Sequence, residues 1–165
     1  MVRDEQPMRL KIFHLVAVFV VSWSGMVHGQ DLSKPMDSAG FIYGQINFVA
    51  AFLGECADYD KKNAATYTRL FGQYSRENKE LADRITTIMR TEQIRSGQSI
   101  ETLEKMLFNS RRMAAETAAQ MRRDDPKLFL NNCRAQPEVH KKGLAAYIPL
   151  HDLYPTQMLA IDGWK

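Results

Sequence analysis

Cys56 lies near the end of the most apolar stretch of this chain outside its N-terminus, FIYGQINFVAAFLGECADYD from Phe41 to Asp60. Whatever else the chain does, it has to cover that stretch. Read as a helix, it sets Ile42, Ile46, Val49, Leu53 and Cys56 at steps of four, three, four and three, the spacing of one buried face. Cys56 then points into the core. Its one intrachain partner is Cys133, in the short apolar run Leu128-Phe-Leu-Asn-Asn-Cys133. In an oxidising compartment the two cysteines staple the first helix to a late one and close a loop of about 77 residues, worth roughly 4 kcal/mol in the loop-entropy picture. A small domain has only about 5–15 kcal/mol of net stability, so such a bond is a large share of it.

The N-terminus decides the compartment. Ile12 to Trp23 is an apolar run behind Arg9 and Lys11, followed by Ser24-Gly-Met-Val-His-Gly29, which is the basic, apolar and small-residue order of a secretory signal. The run is shorter than the roughly 20 apolar residues of a spanning helix. Cleavage after Gly29 is expected, with Gln30 as the mature N-terminus; an uncleaved anchor is the alternative, and Met8 is a second possible start. Export and two cysteines together predict a disulfide. Removing residues 1–29 leaves enough chain for one domain with a real core. It also takes away Arg3, Arg9 and Lys11 against Asp4 and Glu5, so the small net charge of +3 hardly changes. That balance, with no recognisable module, points away from nucleic acid.

The remaining chain reads as helices and punctuation. Residues 30–40 form a leader ending at a cap, Asp37 or Ser38, and the first helix follows from about Phe41 to Asp58. Gly44 and Gly54 weaken it or let a neighbour approach. A second helix from Ala64 to Arg95, capped by Asn63, carries Tyr67, Leu70, Phe71, Tyr74, Leu81, Ile85, Ile88 and Met89, with a kink expected near Gly72. Arg76, Glu80 and Arg84 stand at ion-pair spacing on it. Gly97 and Ser99 end one helix and cap the next, Ile100 to Arg123. Asp125 and Pro126 open a fourth, which Pro137 is expected to interrupt near Ala135, with a short helix from Glu138 to Ala146. From Tyr147 the prolines Pro149 and Pro155 forbid a long helix, yet the segment is too apolar to be solvated. It is read as a strap across the helices, or else as a surface for a partner. The fold class is all-α: a small antiparallel bundle of about four helices over 41–146, with an irregular apolar strap over 147–165 and one disulfide.

Chemical motifs are scarce. The chain contains no Gly-x-Ser-x-Gly, His-Glu-x-x-His, Cys-x-x-Cys, P-loop or dinucleotide fingerprint. His140 and His151 with Glu138 and Asp152 could form a metal site only across a helix end and a proline. Glu55, Asp58 and Asp60 resemble a fragment of a calcium loop whose order fails at Lys62 and Asn63. Met89, Met106, Met113 and Met121 lack the His or Cys neighbours of a soft-metal site and read as core. Cys56 and Cys133 are too far apart in sequence and too apolar in setting for a redox pair. No cofactor is implied.

The functional-looking surface is a basic stripe on the third helix, Lys105, Arg111, Arg112, Arg122 and Arg123, diluted by Glu101, Glu104 and Glu116. With Tyr154 and Trp164 of the tail it supplies the candidate contact residues. The expectation is an exported protein, periplasmic or extracellular, that binds a protein partner in an accessory, inhibitor, immunity-type or chaperone-like role. An anionic envelope surface is a further possible contact. The alternatives are a small-ligand or metal carrier inside the bundle, and an enzyme using carboxylates such as Glu55 or Asp58.

Overall fold

The computed structural model describes residues 31–141 and 150–165. The segment 1–29, expected to be a secretory signal, and most of the short helix expected over 138–146, fall outside the described residues, as do Tyr147 to Pro149. The chain forms α1 (Pro35–Tyr59), a 3-10 turn (Lys61–Asn63), α2 (Ala64–Glu77), α3 (Lys79–Arg95), α4 (Ile100–Asp124), α5 (Pro126–Lys141), α6 (Leu150–Leu153) and α7 (Pro155–Asp162). No strand occurs among the described residues, and the all-α expectation holds.

α1 is the centre. It packs against α2, α3, α4, α5 and α7, and the others are arranged around it. Sequence spacing predicted one buried face, and Ile42, Leu53 and Cys56 are indeed buried, while Ile46 and Val49 are half-buried. Ala39, Gly44, Phe48 and Phe52 are buried as well, because neighbours cover α1 on several sides. A helix apolar nearly all round belongs inside a protein, which is why its amphipathic signal is weak.

α1 begins at Pro35, six residues before the expected start, so residues 35–40 belong to the helix and not to a leader. Proline suits the first helical position, where its missing N–H costs nothing. Ser38 is not a cap: its hydroxyl donates to the Leu32 carbonyl at 2.6 Å. The expected single helix over 64–95 is divided at Asn78 instead of kinking at Gly72. Asn78 Nδ2 donates to the Tyr74 carbonyl at 2.9 Å, the same oxygen its backbone N–H reaches, and this local competition loosens the turn.

The next boundaries are as expected. Gly97 has φ of 71°, with Gly97 N–H donating to the Ile94 carbonyl and Gln98 N–H to that of Gln93, a glycine-ended helix of Schellman type. Ser99 Oγ accepts from the Thr102 N–H, and Asp125 Oδ1 from that of Leu128. Pro137, however, does not interrupt α5, which continues through it to Lys141. The proline removes the bond to the Cys133 carbonyl; anchoring of α5 to α1 at Cys133 and Arg134 offsets that loss.

The main core joins Ala39 and Ile42 of α1, Ile85, Ile88 and Met89 of α3, Leu103 of α4, and Met158 and Ile161 of α7. The tail segment is thus a strap, built of two short helices and not irregular. A second, aromatic region surrounds the disulfide: Phe129 of α5 meets Phe52 edge-on at 5.2 Å and Tyr59 at 6.0 Å. Cys56 and Cys133 are bonded and fully buried, with Cα atoms 5.5 Å apart.

Two consequences are measurable. Cys133→Ser opens the long loop and is expected to lower the melting temperature by about 10 °C; an unchanged midpoint in calorimetry would show the bond to be energetically idle. Gly54 is exposed, with open space where a Cβ would stand, so no neighbouring helix needs it. Gly54→Ala should therefore raise stability by up to about 1 kcal/mol in urea titration, through helix propensity alone.

Candidate functional site

At the C-terminal end of α1 the chain turns on Asp60, a buried carboxylate. Its Oδ2 accepts from Asn63 Nδ2 at 2.9 Å, from the Tyr67 hydroxyl at 3.1 Å and from Arg134 Nε at 3.2 Å. One oxygen therefore joins the turn, α2 and α5 to the end of α1, beside the disulfide. Asn63, expected as a helix cap, is spent here instead. The Asn63 hydrogen bond holds Asp60 below the ordinary carboxylate range against the opposing effect of burial, with Arg134 and Tyr67 adding to the shift. Burial, and then the bond to Asp60, push Tyr67 up to about 12.

A downward shift is the direction of a structural carboxylate; a general acid at neutral pH needs the opposite. The other acids of the predicted calcium-like fragment are also occupied. Glu55 pairs with Arg122 at 2.6 Å, and Asp58 with Lys61 at 3.1 Å on the surface. Arg122 lies over the Tyr59 ring at 5.5 Å as well. Among the described residues no group of three or more His, Cys, Asp and Glu is placed to hold a metal. The side chains of His140 and His151 lie outside the described residues.

The tail aromatics are used internally. Tyr154 packs edge-on against Phe41 at 5.0 Å, and its hydroxyl donates to Gln45 Oε1 at 3.1 Å. Trp164 Nε1 donates to Glu92 Oε1 at 2.8 Å, under the Arg95 guanidinium. That bond, with Arg95, holds Glu92 below its usual range. Arg84 donates to the Ile161 and Asp162 carbonyls at the end of α7 and so does not form its expected ion pair with Glu80.

The basic stripe divides. Arg122 turns inward to Glu55, while Lys105, Arg111, Arg112 and Arg123 remain exposed on α4. Each of these has a neighbour on its own helix: Lys105 pairs with Glu101 at 2.8 Å, Arg112 with Glu116 at 3.7 Å, and Arg123 bonds Gln120. At the middle of this face stands Phe108, 63% exposed, a residue that periodicity did not single out. The signal was available: Phe108 is turned by roughly 80–140° from the buried Leu103, Ala114 and Ala118 on the helix wheel. A shallow open depression of about 460 Å³ lies beside it, lined among the described residues by Glu101, Glu104, Lys105, Phe108 and Asn109. Met106 is half exposed, so only Met89 of the four methionines sits in the core as a fully buried residue.

Fold and site together define a disulfide-stapled, all-α protein with a buried polar cluster on Asp60. None of the protein-family models, curated proteins or solved structures compared with the chain matches it.

The polar cluster sets the stability profile at both ends of the pH range. Asp60 contributes stability that is present above the unfolded carboxylate value of about 3.9 and is lost as pH falls through the lower folded value. Tyr67 works oppositely: its contribution is present below about 10, where an unfolded tyrosine titrates, and is lost as pH rises toward about 12. In melting curves against pH, Asp60→Asn should flatten the acid limb and Tyr67→Phe the alkaline limb. Unchanged limbs in both variants would remove the cluster from the account of stability.

Proposed function

We propose that this chain is an exported helical protein that acts in the cell envelope by binding a protein partner through the outward face of α4. The observation that carries the reading is Phe108. An aromatic ring this exposed, within reach of Lys105, Arg111, Arg112 and Glu104, has the composition of an interface centre with a polar rim. Singly exposed apolar residues are ordinary, but here the depression and the ring share one face.

The tail aromatics do not compete for this role, since Tyr154 and Trp164 are already hydrogen-bonded within the fold. The mixed signs on α4 favour a protein over a uniformly anionic surface, which would select an undiluted basic stripe. Export is supported by the N-terminal signal order and by the disulfide, together with the absence of free cysteines among the described residues. Among those residues no helix is long and apolar enough to cross a membrane. No observation favours the carrier or the carboxylate-enzyme reading.

The test places a photo-crosslinking amino acid at position 108, and at Ser75 of α2 as a control, in the native host. A stoichiometric protein adduct from position 108, lost on Arg112→Glu, is expected. Equal labelling from both positions, or none, overturns the reading. Mass spectrometry of the same material should find a mature N-terminus near Gln30 and no alkylatable thiol; an intact Met1 with two alkylatable cysteines would overturn export.

A further inference from the structure

The charges of α4 are ordered so that the helix complements itself when reversed. Around Phe108, Glu104 and Arg112 lie four residues to either side, Lys105 and Arg111 three, and Glu101 and Ala115 seven. All are exposed, and helical spacing gathers them into one strip that flanks the buried line of Leu103, Ala114 and Ala118. We propose that this strip is the contact between two copies of this chain, α4 against α4, antiparallel about a two-fold axis through Phe108. The inference rests on the reading of this face as a protein-binding surface and names its partner.

An isologous contact requires each group to meet its counterpart at the mirror offset from the axis. Here the two Phe108 rings meet at the axis, and Glu104 of each copy meets Arg112 of the other, twice over. These are also the charges least occupied at home. Glu104 makes no ion pair among the described residues, and the link from Arg112 to Glu116 is long at 3.7 Å. The unfavourable juxtaposition, Lys105 against Arg111, is blunted. Lys105 is paired to Glu101 at 2.8 Å, and Arg111 Nε turns back to the Leu107 carbonyl at 3.4 Å. Glu101 faces Ala115, a small residue that leaves room for its passage. A parallel pairing would instead set Glu104 on Glu104 and Arg112 on Arg112, so the charge order selects the antiparallel one.

The chain's two cysteines are already joined, so an introduced cysteine is the single free thiol. In the full chain expressed with its own N-terminus, Phe108→Cys under mild oxidation should give a disulfide-linked dimer through residue 108. Ala115→Cys should not couple to itself, because its copies would stand about 21 Å apart along the helix axes. With Phe108 intact, sedimentation equilibrium should show self-association weakened about tenfold by Glu104→Arg and restored by Glu104→Arg with Arg112→Glu. Coupling at 115 as fast as at 108, or no rescue by the double reversal, overturns the antiparallel pairing. A monomer at every concentration, with position 108 still capturing a different protein in the envelope, overturns self-pairing and leaves the protein-binding role standing. A monomer with no adduct overturns both.

Discussion

Everything in this fold depends on covering α1. Its residues Ile42, Phe48, Phe52, Leu53 and Cys56 are turned toward several neighbours at once, and apolar area removed from water contributes roughly 25 cal/mol per Å². No single neighbouring helix covers that much surface. α2, α3 and α4 take most of it, and the C-terminal α7 closes the remaining side with Met158 and Ile161. The strap is therefore part of the core, which explains why so short and proline-bounded a segment is ordered.

Burial is not directional, so hydrophobic packing alone would leave the helices free to slide. The orientation is set by a few specific links. The Cys56–Cys133 bond and the three hydrogen bonds on Asp60 fix α5 and α2 to the far end of α1. At the other end, Arg84 holds the last carbonyls of α7, and Trp164 is tied to Glu92. The two sets of links sit near opposite ends of α1. Between them the buried surface is apolar and adaptable.

With α1 enclosed and the tail docked, α4 is left with one side inward and one side free. In its second half the inward residues are small, Ala114 and Ala118, which lets it lie close on the central helix. Its outward residues are charged in alternating sign around one aromatic ring. That division is the surface on which the proposed binding role rests. Charges already paired along the helix cost little to leave in water, and the exposed ring gains by being covered.

Much of this was legible in local signals. Gly97, Ser99, Asp125 and Pro126 marked helix ends because caps and turns act through neighbours in sequence. The cysteine pair was legible by elimination, there being only two. Pro137 was misread because a local rule met distant contacts, the anchoring of its helix at Cys133 and Arg134, whereas Asn63 and Asn78 were misread because their side chains bond near neighbours, Asp60 and the Tyr74 carbonyl. Phe108 was missed because an apolar residue on a helix reads as core until its neighbours are known. Sequence by itself determined the all-helical class, the helix ends at Gly97, Ser99 and Pro126, and the identity of the staple, since these follow from backbone sterics, side-chain pattern and count. Only the tertiary structure decided which polar groups became locks and which aromatic stayed in water, because both depend on residues tens of positions away that chain folding brings together.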